Sequence, residues 1–233
     1  RSLAALVNVG FGVAVLGISA LLYLAWADMT DGNTGRWQRA LVAFAYIGVN
    51  IQGMFGGARV YLNELKGPEL ALIHGVFAQV VFSLTAVIAL MTTRRWTRHE
   101  ELDTNPALRW ATAFIVVLTL TQIIFGGLLR HFDHLPLAQR LHPLLAFGVL
   151  FGVTWIAAGG GPLRRKAVAL LMLVLCQAAF GVETWLRTAD PAGRYRAATD
   201  LDVLIRTGHV LLGFGIFASA VLLAARAWKP KLI

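Results

Sequence analysis

Cysteine occurs once, as Cys176, so no disulfide can close within the chain and no thiolate cluster can hold zinc or an iron–sulfur centre. Charge is scarce as well: Asp, Glu, Lys and Arg make up 14% of the 233 residues, while apolar residues make up 58%. A soluble domain of this length carries more charge than that. Acid is the rarer sign, 12 residues against 21 basic ones, for a net charge of +9. Such an excess can mark a nucleic-acid partner. Here the arginines and lysines stand at the ends of apolar runs, where they read as membrane-surface anchors, and no nucleic acid is expected.

Seven apolar runs fill most of the chain, at about 3 to 26, 40 to 62, 69 to 92, 107 to 129, 137 to 158, 166 to 187 and 204 to 227. Each is about 22 residues or slightly more, enough for a helix to cross a hydrocarbon core of about 30 Å. The first is too long for a secretory signal and is followed by further spans. The expected fold is all-α, a polytopic transmembrane protein in contact with membrane lipid. Positive residues in short loops favour the cytoplasm. One face gathers twelve basic residues, among them Arg94, Arg95, Arg164 and Lys166, against five acidic ones; the other has nine and seven. The first face, with the C-terminus, is therefore expected inside, and His74, His142 and His209 toward the outer side.

Within these runs one pattern occurs three times. Gln52, Phe55, Gly56 and Gly57 close a helix ahead of His74; Gln122, Phe125, Gly126 and Gly127 precede His142; Gln177, Phe180 and Gly181 precede His209. A small residue follows each histidine by four: Ala78, Ala146 and Gly213. Positions four apart share a helix face, so each face offers an imidazole beside room for something flat and wide, such as a porphyrin. His142 is expected to open its helix, with Pro143 marking the helix start.

Pairing the helices by this unit leaves the first without a partner. Ala4 would be its small residue, which would put a histidine just before Arg1, at the start of this same helix, and one further helix is expected upstream as its partner. The chain then divides into an N-terminal half-bundle, 1–105, and a C-terminal four-helix bundle, 106–233, the two being pseudo-symmetric.

An ionisable residue inside a span is costly and marks function. A lone histidine can instead bond a neighbouring helix, but three in register favour ligands. Paired imidazoles from facing helices hold heme iron in a bundle: His142 with His209, and His74 with the upstream histidine. Arg59 and Arg130 end the helices before His74 and His142, where a guanidinium can grip a propionate or simply reach the interface. The three glutamines read as interhelical hydrogen-bonders beside glycines that allow close packing. Glu183 stays open between a proton relay and an arginine partner. His131 and His134 read as loop histidines near the interface, and His99 has no assigned role.

IQGMFGGARV followed by LALIHGVFAQVVFSL, TQIIFGGLLRH followed by RLHPLLAFGV, and RTGHVLLGFG together resemble the heme A synthase family of eight-helix membrane proteins. The opening RSLAAL resembles the continuation of that family's His-Arg motif. The resemblance implies a heme b held by His142 and His209, with heme O as substrate on His74. It implies oxidation of a heme O methyl group to a formyl group through successive hydroxylations, giving heme A for cytochrome oxidase. The family's catalytic glutamate would lie upstream of Arg1. Heme O synthase, an electron donor and a second copy of the chain are the partners implied, in a bacterial plasma membrane or a mitochondrial inner membrane. The sequence departs from the family in having Pro143 where many members have arginine, and in lacking paired outer-loop cysteines, which removes a redox-active cysteine mechanism. A di-heme b electron-transfer protein would need the same histidines. A transporter would need helices broken near mid-membrane, whereas the glycine clusters here lie near helix ends.

Overall fold

The computed structural model describes residues 16–27, 36–93, 96, 104–132, 135–159, 161–188 and 199–229. Residues 1–15, expected to continue a histidine motif, lie outside them, as do His99 and His134. The described residues form seven helices and no strand: α1 (Leu16–Ala27), α2 (Arg36–Tyr61), α3 (Asn63–Met91), α4 (Pro106–His131), α5 (Pro136–Ala158), α6 (Arg164–Thr188) and α7 (Asp200–Ala227). Helices α2 to α7 are long and apolar enough to cross a membrane, and the described part of the first predicted run, Leu16–Ala27, is helical and apolar.

The chain divides into two compact units, Arg1–Glu100 and Glu101–Ile233. In the first, α2 packs on α3 around Leu22, Val42, Ala45, Val49, Val81, Ile88 and Met91. The helix-breaking geometry is local to Lys66 (φ −142°, ψ 30°), just ahead of Pro68. A proline lacks the N–H that would continue the ladder and its ring crowds the preceding turn, so α3 bends there and runs on straight through His74.

In the second unit α4 packs on α5 and α7, and α6 packs on the same two helices. Each helix thus has two neighbours, the arrangement of a four-helix bundle, with α5 and α7 diagonally opposed. Asn105 caps α4 by accepting from the Leu108 N–H. Thr199 and Asp202 form a reciprocal capping box on α7. At the end away from the histidines, Thr104 Oγ1 donates to Ala227 O and Trp228 Nε1 donates to Arg109 O.

Burial is uneven along the bundle. The fully buried apolar residues Ile115, Val149, Val153, Ile156, Leu163, Leu170, Ile216 and Leu223 all lie in the half away from His142 and His209. In the histidine half, only Ala138 and Asp202 among the described residues are buried. Outward-facing Phe147 and Phe151 are 69% and 75% exposed, an apolar exterior suited to lipid contact.

Gly148 and Gly152 let α5 approach α4. A Cβ on Gly152 would collide with Cδ1 of the buried Ile115, and one on Gly148 would come within 3.2 Å of Leu118 Cδ2. Gly152→Leu is expected to cost about 1–3 kcal/mol by overpacking, read as a lower thermal midpoint in detergent. Partial recovery in the Gly152→Leu/Ile115→Ala double variant would identify the collision as the cause.

Candidate functional site

Each glutamine of the repeat meets the histidine of the following helix. On α2, Gln52 Nε2 donates to the His74 carbonyl at 3.1 Å and lies 3.1 Å from its Nδ1 and 3.4 Å from its Nε2. On α6, Gln177 Nε2 lies 3.3 Å from His209 Nε2. Between α4 and α5 the contact differs: His142 Nδ1 lies 3.2 Å from the Gln122 backbone carbonyl. A carbonyl can only accept, so Nδ1 carries the proton and Nε2 keeps a basic lone pair. A carbonyl on the far ring nitrogen is the usual way in which a metal-binding imidazole is oriented.

Glycine makes these approaches possible. A Cβ on Gly126 would lie 2.9 Å from His142 Cε1, and one on Gly181 3.2 Å from His209 Cε1. Both imidazoles therefore rest against bare backbone four residues beyond the repeat's glutamine. The repeat's phenylalanines pack on the histidine-bearing helices: Phe55 meets Phe77 edge-on with ring centroids 5.8 Å apart, and Phe180 fills the space where a Cβ on Gly208 would stand. The small residue after His209 has a definite neighbour, since a Cβ on Gly213 would sit 3.5 Å from Gln177 Nε2.

Across the bundle, the His142 and His209 ring centroids are 6.4 Å apart, with planes at 68°. Two metal–nitrogen bonds of about 2 Å each, plus the distance from each nitrogen to its ring centre, span about the same gap. No group of three or more His, Cys, Asp or Glu converges on a metal position among the described residues. A bare ion would thus find two protein ligands, while a porphyrin brings its own four nitrogens. The Oε1 atoms of Gln52, Gln122 and Gln177 are buried without a hydrogen-bond partner, so polar capacity is left over at all three repeats.

The structure corrects one expectation directly. Pro143 does not mark the helix start: α5 begins at Pro136, and Pro143 lies inside it. Pro136 takes the first-turn place because an unpaired N–H is lost there at no cost. His142 accordingly sits roughly two turns into its helix, as does His74 after the Lys66 bend, and His209 lies nearly three turns past the Thr199 cap. Arg130 is exposed at the end of α4 and has no hydrogen bond or ion pair among the described residues. His131 ends the same helix. Arg59 is on α2, but its side chain lies outside the described residues.

Glu183 has an arginine partner: Arg187 Nε donates to Glu183 Oε1 at 2.6 Å, and Arg187 Nη1 to Asp202 Oδ1 at 3.3 Å. Asp202, 2% exposed, also accepts from Thr199 Oγ1 at 2.7 Å. Sequence reasoning passed over Asp202, although Thr199-x-x-Asp202 is a legible capping signal. It also passed over Gln79 and Ser83, whose buried oxygens lack partners. Asp202→Ala removes one half of the reciprocal cap on α7 while Arg187 keeps Glu183 as partner, with an expected cost of about 1 kcal/mol. Asp202→Asn, which can still cap, should recover part of that cost in thermal unfolding.

The two grooves of the second unit lie apart from the histidines, one between α4 and α5 beside Phe114, Leu118 and Phe151, the other at the far end beside Asn105 and Arg164. Comparison with protein-family models, curated proteins and solved structures found no match for the chain.

Proposed function

We propose that the protein is a heme-dependent membrane oxidoreductase of the heme A synthase type, acting on heme O. The observation that carries this reading is the opposed pair His142 and His209, 6.4 Å apart across the bundle, with the His142 Nδ1 proton held by the Gln122 carbonyl. The donor set fits a heme. Two imidazoles would supply nitrogen ligands to the iron, Gly126 and Gly181 give the rings their places, and the surrounding side chains are only partly buried.

On this reading His142 and His209 hold a resident heme b, and His74 holds the substrate heme O. When bound, the resident heme supplies one-electron chemistry; oxidant and electron donor come from outside the chain. The protein's own contribution is binding and orientation. The Gln122 carbonyl fixes the His142 tautomer, and the apolar helices keep water from the reacting methyl group. Arg130 and Arg59 take the propionates from the helix ends. The histidine ends of the helices face outward from a bacterial plasma membrane, with the C-terminus inside.

The reaction is tested by supplying heme O, a reductant and dioxygen to membranes containing the protein and analysing the hemes by mass spectrometry. Hydroxylated heme O and heme A are expected, and unchanged heme O would overturn the activity. Arg130→Ala should weaken heme retention about tenfold, the worth of one charge-assisted contact, without changing the low-spin absorption spectrum. Unchanged retention would remove the propionate role.

A further inference from the structure

We infer that Gln52 and Gln177 are displaceable caps on the imidazole lone pairs of His74 and His209, so that His142 is the first histidine to engage a heme iron and the capped ones follow. The inference rests on the heme reading above and adds an order of ligation to it.

Three contacts distinguish the histidines. The Gln52 amide is oriented by its donation to the His74 carbonyl, so its nitrogen faces both ring nitrogens, at 3.1 and 3.4 Å. With one N–H given to that carbonyl, the other is left to oppose the nearer ring nitrogen, Nδ1. At His209 the amide of Gln177 stands 3.3 Å from Nε2, packed beside Gly213. His142 is different: its Nδ1 bonds the Gln122 backbone carbonyl, and no hydrogen bond joins the side-chain amide of Gln122 to its ring. One imidazole lacks an amide donor, and two have one.

The covers are weakly held. The Oε1 atoms of both glutamines are buried without partners, and an unpaired buried acceptor penalises the arrangement that creates it. Exchange at His209 breaks one N–H···N hydrogen bond and forms one coordinate bond; the amide keeps its protons, and no electron changes hands. Gln177 and Gln52 are thus positioning residues acting through the histidines.

The test uses the whole protein stripped of heme and mixed rapidly with hemin. In the wild type, hemin capture should precede formation of the six-coordinate low-spin spectrum. Gln177→Leu should shorten that second phase about tenfold, the size of one net hydrogen bond, and Gln177→Met, which keeps the unbranched chain and removes the donor, should act likewise. Unchanged or slower second phases in both variants, with uptake intact, would overturn the caps alone. A wild-type protein that takes up no hemin would overturn the heme reading and this inference with it. Independently of heme, nitrogen-15 spectra of labelled histidine should show Gln177→Leu moving the His209 ring resonances and leaving those of His142 in place. Movement of His142 instead would contradict the assignment.

Discussion

His142→Ala is expected to leave the second unit without heme b, lowering the content of the purified protein at least roughly tenfold, since even an outer-shell loss costs 10- to 100-fold in affinity. His142 is the histidine whose lone pair is both oriented, through the Gln122 carbonyl, and clear of an amide donor. His209→Ala removes the other axial nitrogen but leaves the open imidazole in place, so it should retain more heme, in a high-spin form. Heme content and spin state, measured on protein that elutes as the wild type does in size exclusion, separate the two. Equal loss in both variants with normal elution would contradict the inequality between the histidines.

His74→Ala is expected to abolish retention or conversion of heme O while leaving heme b near its wild-type level. His74 belongs to the first unit and His142 and His209 to the second, and its glutamine contact is made within its own unit. Loss of a single function from one unit is the signature of separate sites. Parallel loss of heme b in well-folded His74→Ala would show that the two sites are not separate.

Much of the architecture is legible because lipid solvation is a coarse and strong constraint. Apolar length predicts each of the helices α2 to α7, with boundaries displaced by a few residues; α7, for example, begins at Asp200 rather than near 204. The displacement has a cause, since polar first turns such as Asp200 and Asp202 are helical through capping while reading as loop by hydropathy. The register of glutamine and histidine is legible as a repeat, and the interhelical bonds of Gln52 and Gln177 follow from it. Sequence does not reveal that the partner is the repeat's own histidine, nor that Gln122 uses its backbone rather than its amide. That depends on helix rotation of a few tens of degrees, which apolar patterning fixes poorly when the exterior is also apolar. Pro143 misleads for a related reason: a proline near a helix end suggests the first turn, but Pro136 already occupies it. Asp202 goes unnoticed because a carboxylate near a helix start usually faces solvent, and only its approach to Arg187 from α6 buries it.

The central claim is that the protein has two kinds of heme site, one resident on His142 and His209 and one for substrate on His74. Mass spectrometry of the hemes extracted from protein purified from cells that also make heme O tests it most directly. The account predicts heme b together with heme O, a hydroxylated heme O or heme A. Heme b alone, at two per chain, would contradict the substrate site and describe an electron carrier, and a protein without heme would contradict the site altogether.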